Sequence, residues 1–393
     1  MDLKNKIDSH ILWIIKRLQK EGFETYLVGG AVRDLLLGRT PKDYDLSTSA
    51  TPDEIVTVFG RRASRIIGKR FKIVHVYHGS EIIEVATFRK APKVDKEGTI
   101  LPDDNEFGTS LEDAWRRDFT VNAIFFDPLK EEIIDHTKMG VDDLKNGTVR
   151  TVGNPMERFE EDPVRILRAL KLVGQYNFKI EEESKDALIK SLPLITHCSI
   201  SRLTLELEKI LKHYYSHSIF TAFHKYGFLA YYMPFLNESW ESEECKYMLK
   251  LIEERNRRLL NGEYRDSISL AIATAALPFV ENTLGGKLPP DERGWHFYYG
   301  VEKDIRRIVL NLFAPYNFPK RIIASSVGML ILQPSMLNKT RMNRVLLNRR
   351  YKHAKELMTL QNNVKWHDDS LNEFWPIHGK RGGKKNKTKR KQQ

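Results

Sequence analysis

Two patterns of apolar and polar positions divide the chain. Residues 3–20 carry apolar side chains at helical spacing, which predicts an amphipathic helix. From residue 24 to about 150, short apolar runs alternate with turn residues, as in β-strands, and after Pro155 the spacing becomes almost wholly helical. The fold class predicted is therefore α+β, with a mixed-sheet front part followed by an all-helical remainder. The predicted strands are residues 25–28, 43–46, 71–77, 81–88, 120–126 and 132–135.

The segment after the first predicted strand carries the clearest chemistry. Gly29 and Gly30 let the backbone approach a ligand, and N–H groups at the start of a predicted helix (31–37) suit a phosphate. Asp43 and Asp45 follow on the second predicted strand, where alternation would place both side chains on one face. Two neighbouring carboxylates repel each other unless a cation lies between them, and Mg²⁺ prefers such oxygen ligands. These residues predict a bound nucleotide and metal-assisted phosphoryl or nucleotidyl transfer.

Two further groups of polar residues add candidates to this site. Glu84 lies among apolar neighbours of a predicted strand, so it is either a third metal ligand or base, or an exposed edge residue. Arg116 and Arg117 offer planar forks to phosphates or ribose hydroxyls. Asp118 could orient an arginine or accept from a sugar hydroxyl, and Asn122 could contact ribose. The alternative is a structural ion pair at the start of a strand.

A helix start near residue 162 supplies the remaining candidates. Asp162 suits an N-cap, with Pro163 in the first helical position. Arg165 and Arg168 are three residues apart and are predicted to share a face with nearby acids. Such a face could select a nucleobase by its hydrogen-bond pattern. The alternative is a capped helix with local salt bridges.

Composition excludes several classes of protein. With 41% apolar and 30% charged residues, the chain is typical of a soluble globular protein. Two cysteines are too few for a disulfide framework, and no Cys/His cluster has zinc spacing. No segment is expected to be apolar enough to span a membrane, and no signal peptide is evident, so a cytoplasmic location is expected.

Positive charge is concentrated in a few segments. The net charge is +12, and eight lysines and arginines follow Gly379. This tail is predicted to be disordered and to attract RNA phosphates, or else to act only as a solubilising end. Residues 91–106 are predicted to form a mobile loop. Residues 66–76 carry cations that could touch a triphosphate or an RNA 3′ end, and residues 348–352 interleave an aromatic residue with cations, which favours RNA contact.

Six ordered blocks within residues 20–200 resemble the class II nucleotidyltransferases, the family of bacterial poly(A) polymerases and tRNA CCA-adding enzymes. A seventh, IIGKRFKIVHV (66–76), is similar to the basic signature of the poly(A) polymerase branch. The six blocks are LVGGAVRD (27–34), KDYDLST (42–48), EVATFR (84–89), RRDFTVNA (116–123), the segment 135–140 and EDPVRILRA (161–169).

The resemblance implies an architecture and a set of site residues. The expected parts are a nucleotidyltransferase head (1–150), a helical neck that recognises the base (151–210), a helical body (211–310), an RNA-binding leg (311–376) and a disordered basic tail (377–393). Asp43 and Asp45 would hold two Mg²⁺ ions, and Glu84 or Asp118 would be the third catalytic carboxylate. The implied nucleotide-binding residues are Gly29, Gly30, Arg33, Arg116, Arg117, Asn122, Asp162, Arg165 and Arg168.

The implied activity is template-independent polyadenylation. AMP from ATP would be added to RNA 3′ ends of mRNAs and small RNAs, with release of pyrophosphate. Two alternatives remain open, a tRNA CCA- or A-adding enzyme and a non-catalytic RNA-binding relative. Expected partners are RNA and ATP, with the RNA-decay machinery as a further candidate and no membrane.

Overall fold

The computed structural model describes residues 3–68, 72–90, 106–285 and 300–376. The chain divides into two compact units, Met1–Leu194 and Ile195–Gln393. The first combines a sheet with helices and the second is helical, which confirms the predicted α+β class. The basic tail and nearly all of the 91–106 loop lie outside the described residues, as do Lys69 and Arg70 of the 66–76 block.

A seven-stranded mixed sheet forms the centre of the first unit. Its strands are β1 (Thr25–Val28), β2 (Asp45–Thr48), β3 (Ser64–Ile67), β4 (Ile73–His78), β5 (Glu81–Thr87), β6 (Phe125–Asp127) and β7 (Glu132–Ile134), with a separate pair β8 (Thr148–Val149) and β9 (Lys179–Ile180). The order across the large sheet is β3-β4-β5-β2-β1-β6-β7. β2 and β5 run parallel, and the other neighbours run antiparallel.

Helices pack against this sheet, and many of its apolar side chains are buried. Its helices are α1 (Ser9–Lys20), α2 (Gly30–Leu36), α3 (Pro52–Phe59), α4 (Ser110–Trp115), α5 (Gly140–Lys145), α6 (Pro155–Glu161), α7 (Val164–Tyr176) and α8 (Glu182–Ser191). α1 contacts β1, and α3 contacts β3 and β4. Leu46, Val74 and Val85 are buried almost completely, which stabilises the unit by the hydrophobic effect.

The second unit consists of packed helices. Its helices are α9 (Ile200–Leu211), α10 (Ser216–Lys225), α11 (Leu229–Tyr232), α12 (Pro234–Glu238), α13 (Glu243–Leu260), α14 (Ile268–Gly285), α15 (Val301–Leu312), α16 (Lys320–Leu337), α17 (Met342–Leu346), α18 (Tyr351–Gln361) and α19 (Asp369–Phe374). One expectation was wrong here, because α14 is long and apolar enough to cross a membrane by length and composition. It is 72% buried inside the protein and packs against α13 and α16, as a core helix does.

Three differences from the predicted strands have physical causes. Asp43 precedes β2, so strand alternation does not position it. Asp45 pairs with Val28, the last residue of β1, and the chain turns at Gly29. β1 therefore has no residue left to pair with Asp43. The predicted strand 120–126 is a 3₁₀ turn (Thr120–Asn122) followed by β6. β3 was missed because its four residues alternate too briefly to be distinguished from a loop.

Candidate active site

The glycine turn between β1 and α2 is shaped to accommodate two arginines. Gly29 has a positive φ of 69°, a conformation that favours glycine, and its N–H donates to the Ile124 carbonyl at 3.3 Å. A Cβ on Gly29 would lie 3.1 Å from Nη1 of Arg117, and one on Gly30 would lie 3.3 Å from Nη2 of Arg33. The absence of both side chains therefore lets two guanidinium groups lie against the turn.

Two carboxylates occupy adjacent strands beside this turn. Asp45 on β2 is the Cα partner of Glu84 on β5, and Glu84 is in turn the partner of His75 on β4. Directly opposed residues point to the same face of a sheet, with strands about 4.8 Å apart. His75 Nε2 lies 3.5 Å from Glu84 Oε1. Asp45 and Glu84, called here the acid row, are both exposed.

The charge of the acid row is only partly compensated. Desolvation of its carboxyl group raises the pKa of Asp45. The neighbouring Glu84 and Asp43 carboxylates raise this pKa further, while Arg117 lowers it. The described residues contain no group of three or more His, Cys, Asp or Glu side chains that could by themselves hold a metal ion. Mg²⁺, however, is commonly bound by one or two carboxylates together with substrate phosphates and water. The acid row with Asp43 fits that donor set.

A buried aspartate that sequence reasoning missed holds both predicted arginines. Asp113 on α4 has a fully buried side chain. Its Oδ1 accepts from Arg116 Nε (2.9 Å) and Nη2 (2.6 Å), and its Oδ2 accepts from Arg117 Nε (3.2 Å) and Nη2 (2.8 Å). Burial opposes ionisation, yet the two guanidinium groups hold the pKa of Asp113 below its ordinary value. Arg117 also donates to Ser47 Oγ on β2 at 3.3 Å, so Asp113 orients it between the sheet and the glycine turn.

Asp118 is engaged by protein groups on both oxygens. Its Oδ1 accepts from the Phe119 N–H (2.9 Å) and from Asn122 Nδ2 (3.2 Å), and its Oδ2 lies 2.8 Å from Arg168 Nη2 on α7. Burial works against the charged form, but Arg168, Asn122 and the Phe119 N–H together lower the pKa of Asp118. Asp118 is thus an ionised, buried carboxylate paired with an arginine, whereas the contact in the acid row joins the exposed Glu84 to His75.

A second network joins α2 to the last residue of α7. Arg33 is only 8% exposed, and its Nη1 donates to Asn122 Oδ1 at 2.6 Å. Its Nη2 donates to Asp34 Oδ1 (3.0 Å) and to Tyr176 Oη (2.7 Å), and the Tyr176 hydroxyl donates to Asp34 Oδ1 (2.6 Å). The guanidinium carbon of Arg33 lies 4.6 Å from the centroid of the Tyr176 ring. The position of Arg33 therefore depends on α7.

The start of α7 differs from the predicted arrangement. Asp162 Oδ1 accepts from the Val164 N–H at 3.2 Å, as an N-cap would, but the preceding acids end α6 instead of opening α7. Proline restricts the residue before it, so the two helices are separated at Asp162. Arg165 is 9% exposed and donates to Glu161 Oε2 (2.8 Å), whereas Arg168 is half-exposed and reaches Asp118. The two arginines thus serve different partners.

Most of the predicted residues belong to connected contacts. The interactions above link Gly29, Gly30, Arg33, Arg117, Asn122, Asp118 and Arg168. Arg116 is connected to these residues through Asp113. Asp162 and Arg165 lie at the α6–α7 junction, where Arg165 also donates to the Arg158 carbonyl. Asp113 could have been found from its spacing to Arg116 and Arg117, since residues three and four apart are neighbours on a helix. Tyr176 had no such signal.

Sequence comparisons place these features in a known family. Residues 25–150 match the family described as "Poly A polymerase head domain", and residues 177–239 match "Probable RNA and SrmB- binding site of polymerase A". Poly(A) polymerase I of Salmonella typhi is 30% identical over 376 residues, which is 92% of this chain and 80% of that relative. The chain belongs to the poly(A) polymerase family. It is therefore a nucleotidyltransferase.

Other members of the family include enzymes with a different product. Poly(A) polymerase I of Haemophilus influenzae is 36% identical over 61% of this chain and 54% of its own length. The CCA-adding enzyme of a Geobacillus species is 39% identical over 63% of this chain and 60% of its own length. The crystal structure of the Bacillus stearothermophilus CCA-adding enzyme with CTP covers 93% of this chain and 81% of its own, with a TM-score of 0.61 and 26% identity. The family thus spans two products on one fold.

Proposed function

We propose that this protein adds adenylates from ATP to RNA 3′ ends without a template and releases pyrophosphate. The observation that carries the proposal is the extent of similarity to poly(A) polymerase I, which reaches 92% of the chain and so includes the helical unit. The similarity to CCA-adding enzymes spans 63% of the chain in the Geobacillus relative. We place the enzyme in the cytoplasm, with mRNAs and small RNAs as substrates and the RNA-decay machinery as a candidate partner.

The proposal assigns the metal and the chemistry to the acid row and Asp43. Asp43 and Asp45 would hold Mg²⁺, whose role when bound is to neutralise phosphate charge and favour deprotonation of the 3′ hydroxyl. Between the two candidates for the third carboxylate, the register favours Glu84. It lies directly beside Asp45, while Asp118 is buried and paired with Arg168. Glu84 completes the negative site that receives the cation.

The remaining residues would bind the nucleotide. Backbone N–H groups around Gly29 and Gly30 would meet the triphosphate, with Arg33 and Arg117 supplying positive charge beside the turn. Asn122 and Asp118 would face the ribose. Arg116 would help Asp113 to fix the position of the Arg117 guanidinium. Asp162, Arg165 and Arg168 would select adenine by hydrogen bonding from the start of α7.

CCA addition to tRNA is the second candidate. The CCA-adding relative is more identical within its aligned region, 39% against 30%, and the CCA-adding structure with CTP shares the fold over most of both chains. These observations are compatible with either activity. The two activities differ in which nucleotide is accepted and in where addition stops.

Product length separates the candidates. The full-length protein is incubated with Mg²⁺, a single-stranded RNA and each NTP alone, and in parallel with a tRNA lacking its CCA end. A long ladder with ATP alone supports polyadenylation. Efficient CTP incorporation into the tRNA that stops after CCA would assign the protein to the second activity. No incorporation of any nucleotide, equal to that of an Asp45→Asn control, would identify a non-catalytic RNA-binding relative.

A further inference from the structure

A positively charged cavity lies within the helical unit. It has a volume of about 190 Å³ and is bounded by α15, α16, α17 and the segment that leads into α18. Three guanidinium groups and one carboxylate border it, so its polar lining carries a net positive charge. The polar lining residues are Glu302, Ser335, Arg341, Arg344, Asn348 and Arg350.

Arg350 is held in this cavity without a partner for one of its donors. Its Nε is buried and has no hydrogen-bond acceptor among the described residues. A buried donor without a partner destabilises a protein, so such groups usually meet a ligand or water. The guanidinium of Arg344 likewise makes no hydrogen bond or ion pair within the described part of the chain. Two arginines therefore have donors available at one cavity.

A glycine in the middle of α16 creates the space that Arg350 occupies. A Cβ at Gly328 would lie 2.5 Å from Arg350 Nε and 2.6 Å from its Cδ, distances that only a displacement of Arg350 could relieve. Glycine is unfavourable in a helix interior compared with alanine. Gly328 thus weakens its own helix while allowing a guanidinium to lie against it.

The neighbouring aromatic residue does not take part. The sequence pattern at 348–352 favours RNA contact because an aromatic residue lies among cations, but the Tyr351 ring is not available for such a contact. Tyr351 is 3% exposed, and its hydroxyl donates to the Pro376 carbonyl at 2.6 Å, because the ring forms part of the core of the unit. Charge, without base stacking, is what this region offers to a ligand.

We infer that this cavity, called the Arg350 pocket, binds a phosphate group of the RNA backbone. Guanidinium groups match phosphate oxygens in geometry and charge, and a contact of this kind is independent of base sequence. The choice of RNA over a free phosphate as the source rests on the proposed function. The pocket lies outside residues 177–239, the segment matched to the RNA-binding family, so it would be an additional contact.

The test compares matched variants of the full-length protein. Arg350→Gln removes the charge, and Gly328→Ala displaces Arg350 while leaving the net charge and favouring the helix. Arg265→Gln, at an exposed arginine of the helical unit outside the pocket lining, controls for charge. Gly285→Ala, where a Cβ would meet open space, controls for the glycine change. Fluorescence anisotropy of a labelled single-stranded RNA is measured from low to high salt.

Both pocket variants should weaken RNA binding in the same way. Loss of one phosphate contact should reduce the log–log salt slope by about 0.7. With equal affinities at 1 M salt, the variant should then bind RNA roughly fivefold more weakly than the wild type at 0.1 M salt. The two controls should bind as the wild type does. If Arg350→Gln and Gly328→Ala match their controls at every salt concentration, the inference is wrong and the contact between Gly328 and Arg350 is only packing.

A second measurement distinguishes the sources of phosphate. Thermal unfolding is followed with and without inorganic phosphate. Stabilisation of the wild type but not of Arg350→Gln, with unchanged RNA affinity, would assign the pocket to a free anion and overturn the inference. The adenylation ladder is scored separately. If the ladder is absent while the pocket variants still weaken RNA binding, the proposed function fails and the pocket stands.

Discussion

Two sets of carboxylates in the first unit have opposite electrostatic settings. The acid row is exposed at the sheet, and neighbouring carboxylates contribute to raising the pKa of Asp45. Asp113 and Asp118 are buried, and the arginines around each of them lower its pKa. The unit therefore contains one negative site that lacks sufficient compensation and two negative groups that the protein itself compensates.

This contrast indicates different roles for the two sets of carboxylates, cation binding for the acid row and positioning of arginines for Asp113 and Asp118. A negative site that the protein leaves uncompensated can receive a cation, whereas a carboxylate held by arginines is already satisfied and fixes the position of those arginines. Asp113 orients Arg117 beside Gly29, and Asp118 connects Asn122 to Arg168. Substitutions in the acid row should consequently lower turnover, whereas substitutions of Asp113 or Asp118 should lower stability or nucleotide affinity.

The largest effect should come from Asp45→Asn or Asp43→Asn. Either change should lower the rate of adenylate addition at least about 10²-fold, by analogy with loss of one electrostatic stabiliser, while the protein remains folded. Glu84→Gln should behave in the same way if Glu84 is the third carboxylate. Single-turnover rates and circular dichroism measure the two properties. Near-normal turnover in a folded Asp45→Asn protein would remove the metal assignment.

Asp113→Asn should act mainly on stability. It leaves two partly buried guanidinium groups without their shared anion, a change that typically lowers the free energy of unfolding by about 3 kcal/mol. Urea denaturation measures the loss, and Asp142→Asn on α5, an exposed aspartate, provides a control. An unchanged denaturation midpoint for Asp113→Asn would show that the two arginines do not depend on this carboxylate.

Tyr176→Phe should give an intermediate effect. It removes one hydroxyl that donates to Asp34 and accepts from Arg33, and a typical hydrogen bond contributes about 1 kcal/mol. Because Arg33 lies against Gly30, the KM for ATP should rise more than kcat falls. Tyr231→Phe, at an exposed tyrosine, is the matched control. Equal values of KM for both variants would limit Tyr176 to a packing role.

The smallest effect should be a difference in pH dependence. A raised pKa means that ionised Asp45 destabilises the folded state, and this penalty develops as the pH rises above the ordinary aspartate value of 3.8. Asp45→Asn should therefore be slightly more stable than the wild type at neutral pH without Mg²⁺, and equally stable at strongly acidic pH. Asp118→Asn should show the reverse, because stability from a lowered pKa is present above 3.8 and is lost on acidification.

The sequence predicted the part of the site whose residues lie close together along the chain. Gly29, Gly30 and Asp45 follow one another across a strand, a turn and a second strand, and β1, α2 and β2 appear close to their predicted bounds. It was uninformative where distant segments meet. The neighbouring positions of Asp45 and Glu84 depend on a parallel pairing of β2 with β5, and the contact of Tyr176 with Asp34 spans 142 residues. Neither has a local signature.

Burial was the other property that the pattern did not reveal. Arg116 and Arg117 were equally consistent with phosphate binding and with a structural ion pair, and the structure contains the ion pair through Asp113. Tyr351 belongs to a segment whose pattern of cations around an aromatic residue favours RNA contact, but its own side chain lies in the core. Charge and aromatic spacing describe what a segment could bind, while packing decides which of its side chains are available.

The most direct test measures the binding of Mn²⁺ to the protein in the presence of a non-hydrolysable ATP analogue. Mn²⁺ serves as a paramagnetic substitute for Mg²⁺. Electron paramagnetic resonance titrations compare the wild type, Asp45→Asn and Asp118→Asn, each checked for folding. The account predicts that the wild type and Asp118→Asn bind the ion with similar affinity, because Asp118 already has Arg168 as its partner, whereas Asp45→Asn loses binding. Equal affinity in all three proteins, or loss of binding confined to Asp118→Asn, would contradict the assignment of the cation to the acid row.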